Sequence, residues 1–140
     1  MTLTYKYKTI ERPELPDIKA PSIPIRIIAE SNGTSFDTLA LIDSGADVSA
    51  ITKDIAEILN LNLNVPETTS IGIGGKVRSK ETTMNIRVGH GSETYTFRVP
   101  VMVILDHIDF NILLGRKGFF DKFKIEFDQD KQKVSLKRNS

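Results

Sequence analysis

The sequence predicts a mainly β domain with one or two short helices. Three observations carry that reading. Apolar residues recur with a period of two along most of the chain. Gly, Pro, Asn and Asp clusters break these runs at short intervals, and only one stretch has helical spacing. The chain has 140 residues and a mass of 15.6 kDa, the size of one domain. Area scaling gives a folded surface of roughly 7,000 Å² against about 23,000 Å² for the open chain, enough burial for a core without disulfide staples.

The elements follow in order. Leu3, Tyr5 and Tyr7 alternate with Thr4, Lys6 and Lys8 as a strand. Pro13, Pro16, Pro21 and Pro24 punctuate the next stretch, which reads as an extended arm or a connection. Residues 1–21 are therefore set apart as an N-terminal arm, and 22–140 as the domain proper. Ile23, Ile25, Ile27 and Ala29 alternate with polar neighbours, and Pro24 predicts that this strand begins on an edge. After a turn at Ser31-Asn32-Gly33, the run Leu39–Ile42 reads as a strand buried on both faces. Thr52 is an N-cap candidate and Asp54 suits the first turn of a helix whose shared face is Ile55, Ile58 and Leu59. Met84, Ile86 and Val88, then Tyr95, Phe97 and Val99, flank the turn Gly89–Ser92 as a hairpin. Val101–Leu105 is a further apolar run, and a second short helix is expected over 116–120. Phe123, Ile125 and Phe127 form another strand, and Val134 and Leu136 a last one.

Composition excludes several classes of function. Nineteen Lys and Arg against eighteen Asp and Glu leave a net charge of +1, no basis for nucleic acid or an anionic membrane as partner. Without Cys there is no thiol catalysis, disulfide or thiolate metal site. His90 and His107 cannot furnish a multi-histidine metal site and are read as turn or surface residues. No apolar run approaches the roughly 20 residues of a membrane helix, and no apolar signal core opens the chain, so a cytoplasmic location is expected. No Gly-x-Ser-x-Gly elbow is present, and Ser70 and Val77 break the spacing of a phosphate-binding loop around Gly72, Gly74 and Gly75.

The chemistry is carried by Leu41-Ile42-Asp43-Ser44-Gly45-Ala46-Asp47, where an apolar strand delivers a carboxylate straight into a tight turn. Asp-Ser-Gly alone is also plain turn chemistry, and average composition yields such a tripeptide, or Asp-Thr-Gly, in roughly one chain of this length in fifteen. The apolar residues before it and the small residue after it make the pattern about thirty-fold rarer. Two further segments reinforce it. Ile71-Gly72-Ile73-Gly74-Gly75 has the glycines of a hairpin tip whose backbone approaches a ligand closely. Ile112-Leu113-Leu114-Gly115-Arg116 repeats the plan of an apolar strand, a small residue and a helical segment, without the acid.

These three segments, in this order, resemble the retroviral-type, or retropepsin-like, aspartic proteases, in their single-domain cellular and prokaryotic branch. The resemblance spans about residues 22–137 and implies a closed, barrel-like β domain with a flap hairpin. Asp43 then corresponds to the catalytic acid, with Ser44, Gly45 and Ala46 supporting its loop. Asp47 and the flap residues Ile73, Gly74 and Gly75 correspond to substrate-binding positions, and Arg116 to a structural partner of Asp47. Lys117 departs from the acidic or amide residue usual at its position.

Hydrolysis of a peptide by activated water needs a carboxylate to take a proton and a carboxylic acid to polarise the carbonyl. Two carboxyls about 3 Å apart cannot both ionise and so share one proton. No other Asp in the chain is followed by Ser or Thr and then Gly, so the second carboxyl is expected from a second copy, in a homodimer with Asp43 of each chain on the two-fold axis. The expected activity is that of an aspartic endopeptidase acting on extended peptides, with no metal and no cofactor. The alternative is a catalytically silent, dimeric peptide-binding or oligomerisation module on the same fold.

Overall fold

The fold was described from a computed structural model that covers residues 1–72, 75–108 and 110–139. The described residues hold twelve strands and very little helix. The strands are β1 (Thr2–Lys6), β2 (Lys8–Arg12), β3 (Leu15–Ala20), β4 (Ser22–Ile28), β5 (Ser35–Ile42) and β6 (Ser49–Thr52). After helix α1 (Lys53–Ile58) come β7 (Glu67–Gly72), β8 (Gly75–His90), β9 (Glu93–Ile104) and β10 (Ile112–Leu114). The helical turn Arg116–Phe120 then leads to β11 (Phe123–Asp128) and β12 (Lys133–Arg138).

The central sheet runs β4-β5-β10-β6-β9-β8-β7, and a further pairing of β4 with β8 closes it into a ring. That closure leaves few free edges. Inside it lie the alternating residues of the sequence pattern: Ile23, Ile25 and Ile27 of β4, Met84, Ile86 and Val88 of β8, and Val99, Val101 and Val103 of β9, all buried. The expected hairpin is β8–β9, antiparallel from Ser79↔Ile104 to His90↔Glu93.

β4 begins on an edge, as Pro24 predicts: Ser22, Ile23 and Pro24 pair with β5 alone. It pairs with β5 along its whole length, and with β8 from Ile25↔Val88 onward. Pro24 lies one residue before the second ladder starts, where its missing N–H is not needed. β5 is not buried on both faces. Ala40 and Ile42 enter the core, but Leu41 is half-exposed and Leu39 is 48% exposed, because no element among the described residues covers their side of the sheet. In α1, Thr52 has the extended backbone of an N-cap but makes no side-chain capping bond, and Asp54 lies in the first turn. The helix buries Ala56, with Leu59 buried just beyond its end, whereas Ile58 faces outward at 56% exposure. The helical turn Arg116–Phe120 is broken inside, where Lys117 and Gly118 leave helical dihedrals. Gly118 has φ +84 and a Cβ there would press on Val99 and Pro100, so glycine is needed on both counts.

Residues 1–21 hold three strands. β1 pairs antiparallel with β12 in a terminal sheet ordered β1-β12-β11, and Leu3, Tyr5 and Tyr7 join the core. β2 and β3 form a two-stranded ribbon of their own, with Leu15 and Ile18 exposed. Surface area reflects the projecting hairpins: the chain exposes 8516 Å², above the roughly 7,000 Å² expected for a compact domain of this mass.

Candidate active site

Strands β5 and β10 lie side by side and parallel, Leu113 beside Leu41 and Leu114 beside Ile42. The next residues, Asp43 and Gly115, therefore leave the sheet at the same level. The Asp43 N–H still bonds back to the Leu114 carbonyl at 3.0 Å, which fixes the acid to the end of the neighbouring strand. Its side chain then closes its own turn. Asp43 Oδ1 accepts the Gly45 N–H at 2.9 Å, and the Asp43 carbonyl accepts the Ala46 N–H at 3.2 Å. This is the Asx-turn geometry for which Asp and a following small residue are suited. A Cβ at Gly45 would sit 3.3 Å from that same Oδ1, so a side chain there would crowd the carboxylate.

The second turn braces the first from behind. The Arg116 N–H donates to the Ala46 carbonyl and the Lys117 N–H to the Asp47 carbonyl, both at 2.9 Å. The Arg116 guanidinium also bonds the Asp47 carboxylate. This is the pairing expected from the sequence. Both side chains are largely exposed, so their charges are solvent-screened. Lys117 contributes its backbone to this brace, which any side chain allows at that position. Gly115 has no room for a side chain: a Cβ would overlap the Val48 carbonyl group and stand 2.9 Å from the Ser49 nitrogen. Its N–H donates to Ser49 Oγ at 3.1 Å.

Ser49 escapes a reading of the sequence. It is fully buried, and its hydroxyl ties the Gly115 turn to β6. A lone Ser in a short apolar strand has no local signal for such a bond, since its partner lies 66 residues away.

Asp43 is half-buried, and Ser44 and Gly45 are exposed, so the turn presents its acid at the surface of a single chain. Of the expected flap residues, Ile73 and Gly74 lie outside the described residues. Gly75 opens β8 with φ +110 and open space around it, the left-handed backbone that glycine supplies. The hairpin β7–β8 pairs from Glu67↔Lys80 to Gly72↔Gly75. Its base is tied down by Arg78, which donates its N–H to Asp106 Oδ2 at 2.7 Å and its guanidinium to Oδ1 at 3.1 Å, with Glu67 at 3.7 Å. These bonds, the backbone one first, hold the Asp106 carboxyl below its ordinary value. His90 and His107 are both exposed. Among the described residues no helix is long and apolar enough to cross a membrane.

A closed β ring whose parallel pair of strands ends in an acid-bearing turn and a glycine-bearing turn is a retropepsin-like architecture. Comparison with known proteins agrees. The sequence profile of the family described as aspartyl protease matches residues 24–117, well over half of the chain, and the chain belongs to that family. Among solved structures, the chain is similar to a retropepsin-like aspartic protease from Rickettsia conorii, with a TM-score of 0.60 at 17% identity over 97% of this chain and 90% of that one. This likeness is one of fold. The protease of EIAV, solved with the inhibitor HBY-793, aligns with a TM-score of 0.49 at 24% identity over 70% of this chain and 83% of that one. No curated protein sequence matches the chain.

Proposed function

We propose that this chain is an aspartic endopeptidase whose active site forms between two copies, with Asp43 of each meeting on a two-fold axis. The observation that carries the reading is Asp43 itself: a carboxylate held by its own turn and by β10, left open to a second copy and to substrate. One such acid per chain cannot both take a proton from water and donate one to a carbonyl; two acids sharing a proton do both. Water activated by the ionised partner attacks the scissile carbonyl while the protonated partner polarises it.

Ser44 ties the two turns together across the axis, and Gly45 and Ala46 keep the crowded loop small. Asp47, held toward Arg116, meets the substrate backbone. The β7–β8 hairpin acts as the flap, with Ile73, Gly74 and Gly75 closing over an extended peptide bound as an added strand. The open side of β5, with Leu39 and Leu41 running toward Asp43, suits apolar substrate side chains.

The test is Asp43→Asn, which keeps an oxygen to accept the Gly45 N–H and so preserves the turn. Cleavage of a peptide library should disappear while mass in solution and thermal stability stay as in the parent. Undiminished cleavage by that variant would contradict the mechanism. A parent protein that binds extended peptides yet cleaves none from acid to neutral pH would instead identify a silent binding module.

A further inference from the structure

The ribbon β2–β3 lies outside residues 24–117, the stretch that matches the family profile, and among the described residues it pairs with no other strand. Its root is beside the acid. The Ile42 N–H donates to the Pro21 carbonyl at 3.0 Å, and Ser22 stands across from Leu41. The antiparallel register thus sets Pro21 level with Ile42 and Ala20 level with Asp43. Pro21 joins β3 to β4 without a sharp bend. β3 therefore runs on past the end of the sheet where Asp43 leaves it, and its six residues reach roughly 20 Å further.

One face of the ribbon is apolar. Ile10 stands across from Ile18, and past a bulge Leu15 stands across from Arg12. Ile18 is 40% exposed and Leu15 58%. Side chains alternate along an extended chain, so Ile18, Ala20 and Ser22 share a side, and Ser22 sits beside Leu41 on the open side of β5. Leu39, Leu41 and Ile18 thus lie along one side, joined through the small residues Ser22 and Ala20 that are buried at the root. The tip is braced, because the Arg12 guanidinium donates twice to the Pro16 carbonyl, at 2.9 and 2.7 Å. A braced ribbon loses little freedom when it binds.

A two-stranded ribbon alone in water is marginally stable, and this one leaves both outer edges and an apolar face uncovered among the described residues. Charge does not choose its partner, since Lys8, Arg12 and Lys19 are balanced by Glu11, Glu14 and Asp17. What fits is an extended segment with apolar side chains, bound as an added strand. We propose that β2–β3 is a substrate-binding arm, which takes apolar residues of an extended protein segment several positions away from the scissile bond. The proposal rests on the reading of Asp43 as the acid of a peptidase. It adds a substrate class to that reading: long unstructured segments with apolar residues beyond the stretch held at Asp43.

Lengthened peptides test it in the full-length protein. A short library peptide that the Asp43→Asn chain binds is extended at both ends by roughly eight residues of alternating Leu and Ser, enough to span the ribbon. A control is extended equally with Gly and Ser alone. Fluorescence anisotropy with the Asp43→Asn chain should show tighter binding of the Leu-bearing peptide. Adding Leu15→Ser/Ile18→Ser should reduce that preference on the order of tenfold, and Leu15→Met/Ile18→Val should keep it. In chains that retain Asp43, kcat/KM for the two long peptides should follow the same order. A preference unchanged by Leu15→Ser/Ile18→Ser, or absent at the outset, overturns the arm and leaves the Asp43 mechanism untouched. If the same variant instead changes the mass seen in sedimentation, the ribbon joins copies of the chain and the arm is again overturned. A parent chain that cleaves none of the peptides overturns the peptidase reading, while binding still decides the arm. A chain that binds no library peptide overturns both.

Discussion

The two turns at the end of β5 and β10 begin alike and are built for different ends. Leu41-Ile42 and Leu113-Leu114 run parallel in register, and each leads out of the sheet at its next residue. On one side that residue is Asp43, half-buried in a turn whose next two residues are exposed. On the other it is Gly115, pressed against the Val48 backbone and bonded to buried Ser49. One turn carries the acid and lies open to solvent; the other has no room and holds the first in place through the Arg116 and Lys117 N–H groups. A repeated strand-turn plan has thus been divided into an acid-bearing half and a bracing half.

Substitutions in the two turns should separate those halves. Asp43→Asn removes the proposed catalytic acid and should lower cleavage on the order of a thousandfold or more, with no shift in the thermal midpoint. Gly115→Ala does the reverse: its methyl group overlaps backbone, so thermal unfolding should reveal a loss of about 1–3 kcal/mol, and activity falls with the fold. Equal loss of stability in both variants would erase the division. Arg116→Ala leaves the backbone brace intact and removes only an exposed ion pair, so its stability loss should stay below about 1 kcal/mol.

The smallest effect concerns acid stability at the base of the β7–β8 hairpin. The Asp106 carboxyl is held below its ordinary value of 3.8 by the Arg78 N–H and guanidinium. A depressed carboxyl stabilises the fold above its unfolded value and loses that contribution as pH falls through the folded one. Asp106→Asn should therefore be less stable than the parent at neutral pH, and the difference should shrink below about pH 4, as read by unfolding at several pH values. A difference constant with pH would mean that the carboxylate's charge is not what ties Arg78 down.

Much of this was legible from the chain. Alternation at Met84–Val88 and Tyr95–Val99 gave the β8–β9 hairpin because each residue reports its own side of the sheet. The acid-bearing turn was legible because Asp, Ser and Gly act locally, the carboxylate bonding a backbone two residues on. What escaped depends on partners far along the chain. β6 has only four residues, too few for a period to stand out, and is defined by β9 and β10 on either side. Closure of the ring by β4 and β8 joins Ile25 to Val88, which no local pattern foretells. Leu39 and Leu41 looked like core for want of any polar neighbour in their run. They lie on a side of β5 that a single chain leaves open, Leu41 two residues before the acid.

The central claim is that one active site takes its two carboxylates from two chains, and mixing tests it most directly. Parent and Asp43→Asn chains would be unfolded and refolded together at varied ratios and fixed total concentration, and peptide cleavage measured. A shared site predicts activity that falls with the square of the parent fraction, because every mixed dimer lacks one carboxylate. Activity that falls only in proportion to the parent fraction would contradict it, since each chain would then carry a complete site of its own.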